Sequence, residues 1–92
     1  MAKLAADEIT SALKSLDGWD GDGDGIKRSY KFKDFVESMG FVNKAALLAE
    51  KADHHPDIEI SYNRVTLTLV THSEGGVTSN DIEMAGKINA LG

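Results

Sequence analysis

The sequence predicts an α+β fold: a four-stranded antiparallel sheet with three helices on one face, ordered helix-strand-strand-helix-strand-strand-helix. Three observations predict it. Apolar residues recur at helical spacing in three segments, at the start, middle and end of the chain. Between them lie segments where apolar and polar residues alternate with a period of two. These strand-like segments come in adjacent pairs joined by short turns, which favours hairpins over parallel crossovers. Ninety-two residues, 41% hydrophobic and 27% charged, suit one globular domain spanning residues 1–92 and exclude a disordered chain.

The elements follow in order. Ile9, Ala12, Leu13 and Leu16 fall at helical spacing within Asp7 to Leu16, and Gly18 stands where a helix commonly stops. Trp19 to Asp22 is the expected partner of a strand from Ile26, with Asp20 to Gly25 containing the turn. In that strand Ile26, Tyr30 and Phe32 alternate with Lys27, Ser29, Lys31 and Lys33, and Arg28 is the one exception on the apolar face. Asp34 is placed to cap a second helix with apolar positions Phe35, Met39, Val42, Ala46 and Ala49. That helix should end near Ala52, because Pro56 pushes His55 toward an extended conformation. Ile58, Ile60 and Tyr62 then alternate, as do Val65, Leu67 and Leu69 beyond Asn63-Arg64. Thr78 with Asp81 three residues on resembles a capping box, and Ile82, Ala85, Ile88 and Leu91 carry the stripe of the last helix.

A turn centred on Asn63-Arg64 pairs Tyr62 with Val65, Ile60 with Leu67 and Ile58 with Leu69, which matches three apolar pairs. Extending that ladder brings His55 opposite His72. All three histidines, His54, His55 and His72, would then gather at one end of the hairpin. Glu50 lies four residues before His54, so a persisting helical turn would face its carboxylate to that ring.

Composition narrows the chemistry. The chain has no cysteine, which excludes disulfide scaffolds, thiolate zinc sites and cysteine nucleophiles. Fifteen acidic residues against 10 basic give a net charge of −5, which argues against direct binding of nucleic acid. No apolar stretch approaches a membrane span, and Asp7 and Glu8 interrupt any leader-like start, so the expected address is the cytosol. Asp20, Asp22, Asp24 and Gly25 imitate a calcium loop, but Lys31 occupies the position that demands a bidentate glutamate. Trp19 is expected as a core anchor, and Lys27, Lys31 and Lys33 as a solvated strand face.

Three readings of the histidines remain open at this point. They could be polar residues at an exposed sheet edge, ligands of a three-histidine metal module, or an acid–base site. Imidazole suits the last, since its reference pKa is roughly 6.5.

The stretch Glu50-Lys51-Ala52-Asp53-His54-His55-Pro56 resembles the signature of the pterin-4a-carbinolamine dehydratases, a carboxylate separated by three residues from His-His-Pro. Tyr62, His72 and Asp81 follow at the spacing of that family, and Gly18-Trp19, Tyr30-Lys31-Phe32, Thr71-His72, Gly75-Gly76 and Thr78 also fit. The resemblance covers most of the chain from Trp19 to Ile88. Ile58 departs from it, standing where some members carry tryptophan.

The resemblance implies dehydration of a 4a-hydroxytetrahydropterin to the quinonoid dihydropterin, a step in tetrahydrobiopterin recycling that needs no cofactor, metal or covalent intermediate. It implies His55 and His72 as an acid–base pair flanking the 4a-hydroxyl, His54 as the residue that binds or polarises the pterin, and Glu50 as a group that orients a histidine. It places the substrate against His54, His55, Pro56, Val70, Thr71, His72 and Ser73, with Asp81 as a further contact or a structural cap. It also implies a homodimer or homotetramer. The alternative on the same fold is a non-catalytic protein-interaction module, a transcriptional dimerisation cofactor or assembly factor with an unknown protein partner.

Overall fold

The sheet is organised around the strand with the cleanest alternation, Arg64–Leu69. Val65, Leu67 and Leu69 have no exposed surface, while Thr66 and Thr68 between them are half-buried on the opposite face. Burying three such side chains contributes on the order of 1.5–3 kcal/mol each, enough to fix which face meets the helices. The computed structural model describes residues 2–91. Its elements are α1 (Ala6–Leu13), β1 (Asp20–Asp22), β2 (Gly25–Lys31), α2 (Phe35–Ala52), β3 (Asp57–Ser61), β4 (Arg64–Leu69), a 3-10 turn (His72–Glu74) and α3 (Ser79–Asn89). The strands pair antiparallel throughout in the order β1-β2-β4-β3, the α+β arrangement the sequence predicts. One core unites Ile26, Val65, Leu67 and Leu69 of the sheet with Ile9, Phe41, Ala45, Met84, Ala85 and Ile88 of the three helices. No helix among the described residues is long and apolar enough to cross a membrane.

Local chemistry sets the helix ends. Asp34 caps α2 by accepting from the Glu37 N–H at 2.9 Å. The buried stripe of α2 is Ser38, Phe41, Ala45 and Ala49, rotated from the predicted one, and Phe35 is half exposed. Ser38 tolerates burial because its hydroxyl donates to the Asp34 carbonyl at 3.2 Å. α1 stops at Leu13, three residues before the predicted end, and tight turns carry the chain on to Leu16 and Trp19.

The β3–β4 register differs from the predicted one by two residues. Ile60 pairs with Val65 and Ile58 with Leu67, so Tyr62 and Asn63 form the turn. A slip of two keeps every side chain on its face, so the apolar pattern alone does not choose between the registers. Asn63 chooses: its carbonyl accepts from the Phe32 N–H at 2.7 Å and its amide donates to the Phe32 carbonyl at 3.1 Å, clamping the turn to the end of β2. The ladder ends at Asp57 opposite Thr68, so the predicted pairing of His55 with His72 does not form. Pro56, with no N–H to donate, precedes that last pair.

Arg28, the exception on the apolar face of β2, is explained by α3. Its guanidinium donates to Asn89 Oδ1 at 2.6 Å and to the Asp17 carbonyl at 2.8 Å, and lies 4.4 Å from the Tyr30 ring centre. Trp19, a buried core anchor as predicted, donates its indole N–H to the same Asn89 oxygen at 2.9 Å. Gly18 is required beside this cluster: its φ is +83°, and a Cβ there would collide with the Arg28 guanidinium. Burial pushes the Tyr30 phenol above its ordinary pKa, opposed in part by the Arg28 charge.

Candidate active site

The geometry of the histidines starts at the end of α2. Asp53 adopts a left-handed conformation, φ 51° and ψ 44°, which aspartate tolerates better than most residues. The Asp53 N–H donates to Glu50 O and the His54 N–H to Ala49 O, the paired bonds of a Schellman-type helix end. This reversal breaks the helical period one residue before His54. The predicted Glu50–His54 contact is therefore replaced: His54 swings inward, and Glu50 Oε2 meets Nε2 of His55.

His54 finds a different carboxylate. Its Nε2 lies 2.5 Å from Oδ1 of Asp81, a residue with no exposed surface, while the His54 side chain is 14% exposed. Asp81 is held by two further bonds. Its Oδ2 accepts the Thr78 N–H at 2.8 Å and the Thr71 hydroxyl at 2.9 Å, and Thr78 is the N-cap of its own helix, α3, as the capping pattern predicts. Thr71 Oγ1 and Thr78 Oγ1 are 2.8 Å apart, and Thr78 Oγ1 accepts from the Asn80 N–H at 3.2 Å. The network joins the end of α2, the segment after β4 and the start of α3.

His72 follows Thr71 directly and is exposed on the 3-10 turn. That turn is closed by Thr71 and Gly76, whose backbones exchange hydrogen bonds of 3.0 and 3.3 Å. Pro56 is buried, Val70 half-buried and Ser73 exposed around the same corner of sequence neighbours. Among the described residues, no three or more His, Asp or Glu side chains are grouped to hold a metal ion. Two surface depressions lie elsewhere: about 320 Å³ among Phe32, Glu37, Gly40, Phe41, Lys44 and Leu91, and about 260 Å³ among Leu48, Lys51, Ala52 and Lys87. None of the three histidines lines either hollow.

Two adjacent imidazoles are each bonded through Nε2 to their own carboxylate, and a third, His72, is exposed on the turn that follows Thr71 of the Asp81 network. Such a set can accept and donate protons near neutral pH without a metal. The sequence model of the family described as pterin 4 alpha carbinolamine dehydratase matches residues 2–91. The chain belongs to the pterin-4a-carbinolamine dehydratase family. It is 55% identical to a Koribacter versatilis protein provisionally named pterin-4-alpha-carbinolamine dehydratase, covering 99% of this chain and 98% of that one. A similarly named protein of Brucella ovis is 55% identical, with 97% and 94% covered. A crystal structure of a transcriptional coactivator/pterin dehydratase from Brucella melitensis superposes with a TM-score of 0.92 at 53% identity, over 97% of each chain. A pterin dehydratase-like protein identified as a RuBisCO assembly factor in the alpha-carboxysome shares the fold, with a TM-score of 0.66 at 20% identity over 79% and 84% of the two chains.

Among these dehydratase-family residues, sequence reasoning missed the part played by the hydroxyls of Thr71 and Thr78. The signal was present for both. Thr71 continues the inward parity of Val65, Leu67 and Leu69, and Thr78 is the cap that places Asp81 three residues on.

Proposed function

We propose that this protein dehydrates a 4a-hydroxytetrahydropterin to the quinonoid dihydropterin, within tetrahydrobiopterin recycling. The observation that supports it most is the pair of adjacent histidine–carboxylate contacts, His54–Asp81 and His55–Glu50, in a chain of this family. In the reaction a base takes the proton from the ring nitrogen next to the carbinol carbon, the nitrogen lone pair forms the C=N bond, and the C–O bond breaks. An acid supplies a proton to the departing hydroxyl, which leaves as water. The protons balance, and no electron leaves the substrate.

His55 and His72, both exposed, are the proposed acid–base pair. Glu50 orients His55 through Nε2, and His54 binds the pterin. Pro56, Val70, Thr71 and Ser73 frame the substrate on either side. The test is turnover of enzymatically generated 4a-hydroxytetrahydropterin, with His55→Ala and His72→Ala beside the wild type. Each variant should stay folded and lose about 10²–10⁴-fold in rate. A wild type no faster than the spontaneous reaction would sink the reading.

A second reading, a protein-interaction module, is favoured by a separate observation. Phe35, Val36 and Leu47 of α2 are exposed, as are Ile60 of the edge strand β3 and Tyr62 beyond it. Apolar residues so placed suit a protein partner or further copies of the chain. The same surfaces support a homodimer or homotetramer, which sedimentation equilibrium would measure. A stable heterologous partner together with absent turnover would favour the module.

A further inference from the structure

The hydrogen-bond count at Asp81 carries a conclusion about His54 that the proposed reaction does not by itself contain. Oδ2 of Asp81 already accepts two donors, the Thr78 N–H and the Thr71 O–H. Thr71 spends its only hydroxyl proton on that bond, so the 2.8 Å contact between the threonines must use the Thr78 proton. Thr78 Oγ1 is then free to accept from Asn80, as observed. Every proton in the buried cluster is thereby assigned except the one between Asp81 Oδ1 and His54 Nε2, 2.5 Å apart. Across that contact the imidazole N–H is the natural donor and the carboxylate oxygen the natural acceptor.

We infer that Asp81 is a positioning residue that fixes His54 as the Nε2–H tautomer, so that Nδ1 presents a lone pair to a ring N–H of the ligand. No protein group among the described residues hydrogen-bonds Nδ1, and the ring retains an exposed edge. Asp81, for which the sequence leaves a substrate contact and a structural cap both open, acts in this inference from behind the imidazole, since it has no exposed surface and both its oxygens are engaged. The ligand class follows: a heterocycle offering an N–H donor at this position, with an acceptor there rejected. The ligand half of the inference rests on the dehydratase reading, whereas the tautomer rests on the cluster alone.

The experiment is long-range ¹H–¹⁵N NMR of the histidine rings at about pH 8.5, where ordinary imidazoles are neutral. His54→Ala assigns the signal. The wild type should show a protonated Nε2 and an unprotonated Nδ1, and the opposite pattern would overturn the inference whatever the turnover. Asp81→Asn is the second arm. Asn can accept from Thr78 and Thr71 through its oxygen while its amide donates to Nε2, which forces the proton onto Nδ1. The ring pattern should invert and kcat/KM should fall about 10- to 100-fold, because two donors then face each other. An inverted pattern with unchanged kcat/KM would overturn the assignment of Nδ1 to the ligand. If Asp81→Asn does not fold, the wild-type spectrum decides the tautomer. A wild type without turnover would sink the dehydratase reading and with it the ligand half, while the nitrogen spectrum would still decide the tautomer.

Discussion

His54 and His55 are neighbours in sequence, and each brings Nε2 to a carboxylate, yet the two pairs differ in nearly every physical respect. The His54–Asp81 pair is enclosed, with side-chain exposures of 14% and 0%. The His55–Glu50 pair stands in solvent, at 53% and 76%. Asp81 accepts from Thr71 and Thr78 as well as meeting His54, whereas among the described residues the Glu50 side chain meets His55 alone. A buried polar group left without its partner forfeits its full desolvation, while an exposed one turns to water. The first pair therefore belongs to the architecture as much as to the chemistry. The second is free to exchange protons and move, which is what an acid–base group must do. The left-handed Asp53 separates them by sending consecutive side chains to opposite environments.

Removing the carboxylates one at a time tests this contrast. Asp81→Ala should cause the largest stability loss, about 2–4 kcal/mol, because Thr78 N–H, Thr71 O–H and His54 Nε2 all lose their acceptor and α3 loses half of its capping box. Urea unfolding would read this as a lower midpoint at unchanged slope. A loss below about 0.5 kcal/mol would mean that the cluster is not the structural joint described here. Thr71→Val should cost about 1–2 kcal/mol in the same assay, since Asp81 keeps its other donors while Thr78 loses its acceptor. Should Thr71→Val match Asp81→Ala, the hydroxyl chain rather than the carboxylate would be the centre of the joint.

Most of the architecture was legible because it depends on periodicity, and periodicity is a local property. The caps at Asp34 and Thr78, the end of α2 at Ala52 and the strand pairs all follow from neighbours a few residues apart. What was illegible involved choices that the pattern leaves degenerate. The hairpin slipped by two because both registers bury the same residues, and the deciding contact, Asn63 with Phe32, spans the sheet. The α2 stripe was rotated because Ser38 reads as polar, and its burial depends on a bond to the preceding turn. At the site, Asp81 links His54 to Thr71, the residue before His72, by contacts other than the predicted ladder, and the predicted Glu50–His54 contact does not form. Helical spacing pointed to His54, and one non-glycine residue in a left-handed conformation redirected the carboxylate to His55. The partner of His54 lies 27 residues away, beyond what helical spacing can report.

The exposed pair yields the smallest stability effect and the sharpest test of the contrast. Glu50→Ala should change unfolding free energy by less than about 0.5 kcal/mol, because solvent screens the contact and rehydrates both partners. Relief of a carboxylate at the C-terminal end of α2, where the helix dipole disfavours negative charge, offsets part of even that loss. Turnover should respond differently. Without Glu50 the His55 ring is no longer tethered through Nε2, so the rate should fall while the fold stays intact. Paired urea curves and rate measurements on Glu50→Ala and Asp81→Ala would show whether the two effects separate as the burial of the pairs requires. If Glu50→Ala destabilised the protein as much as Asp81→Ala, its carboxylate would be structural, and the division between a fixed histidine and a working one would fail.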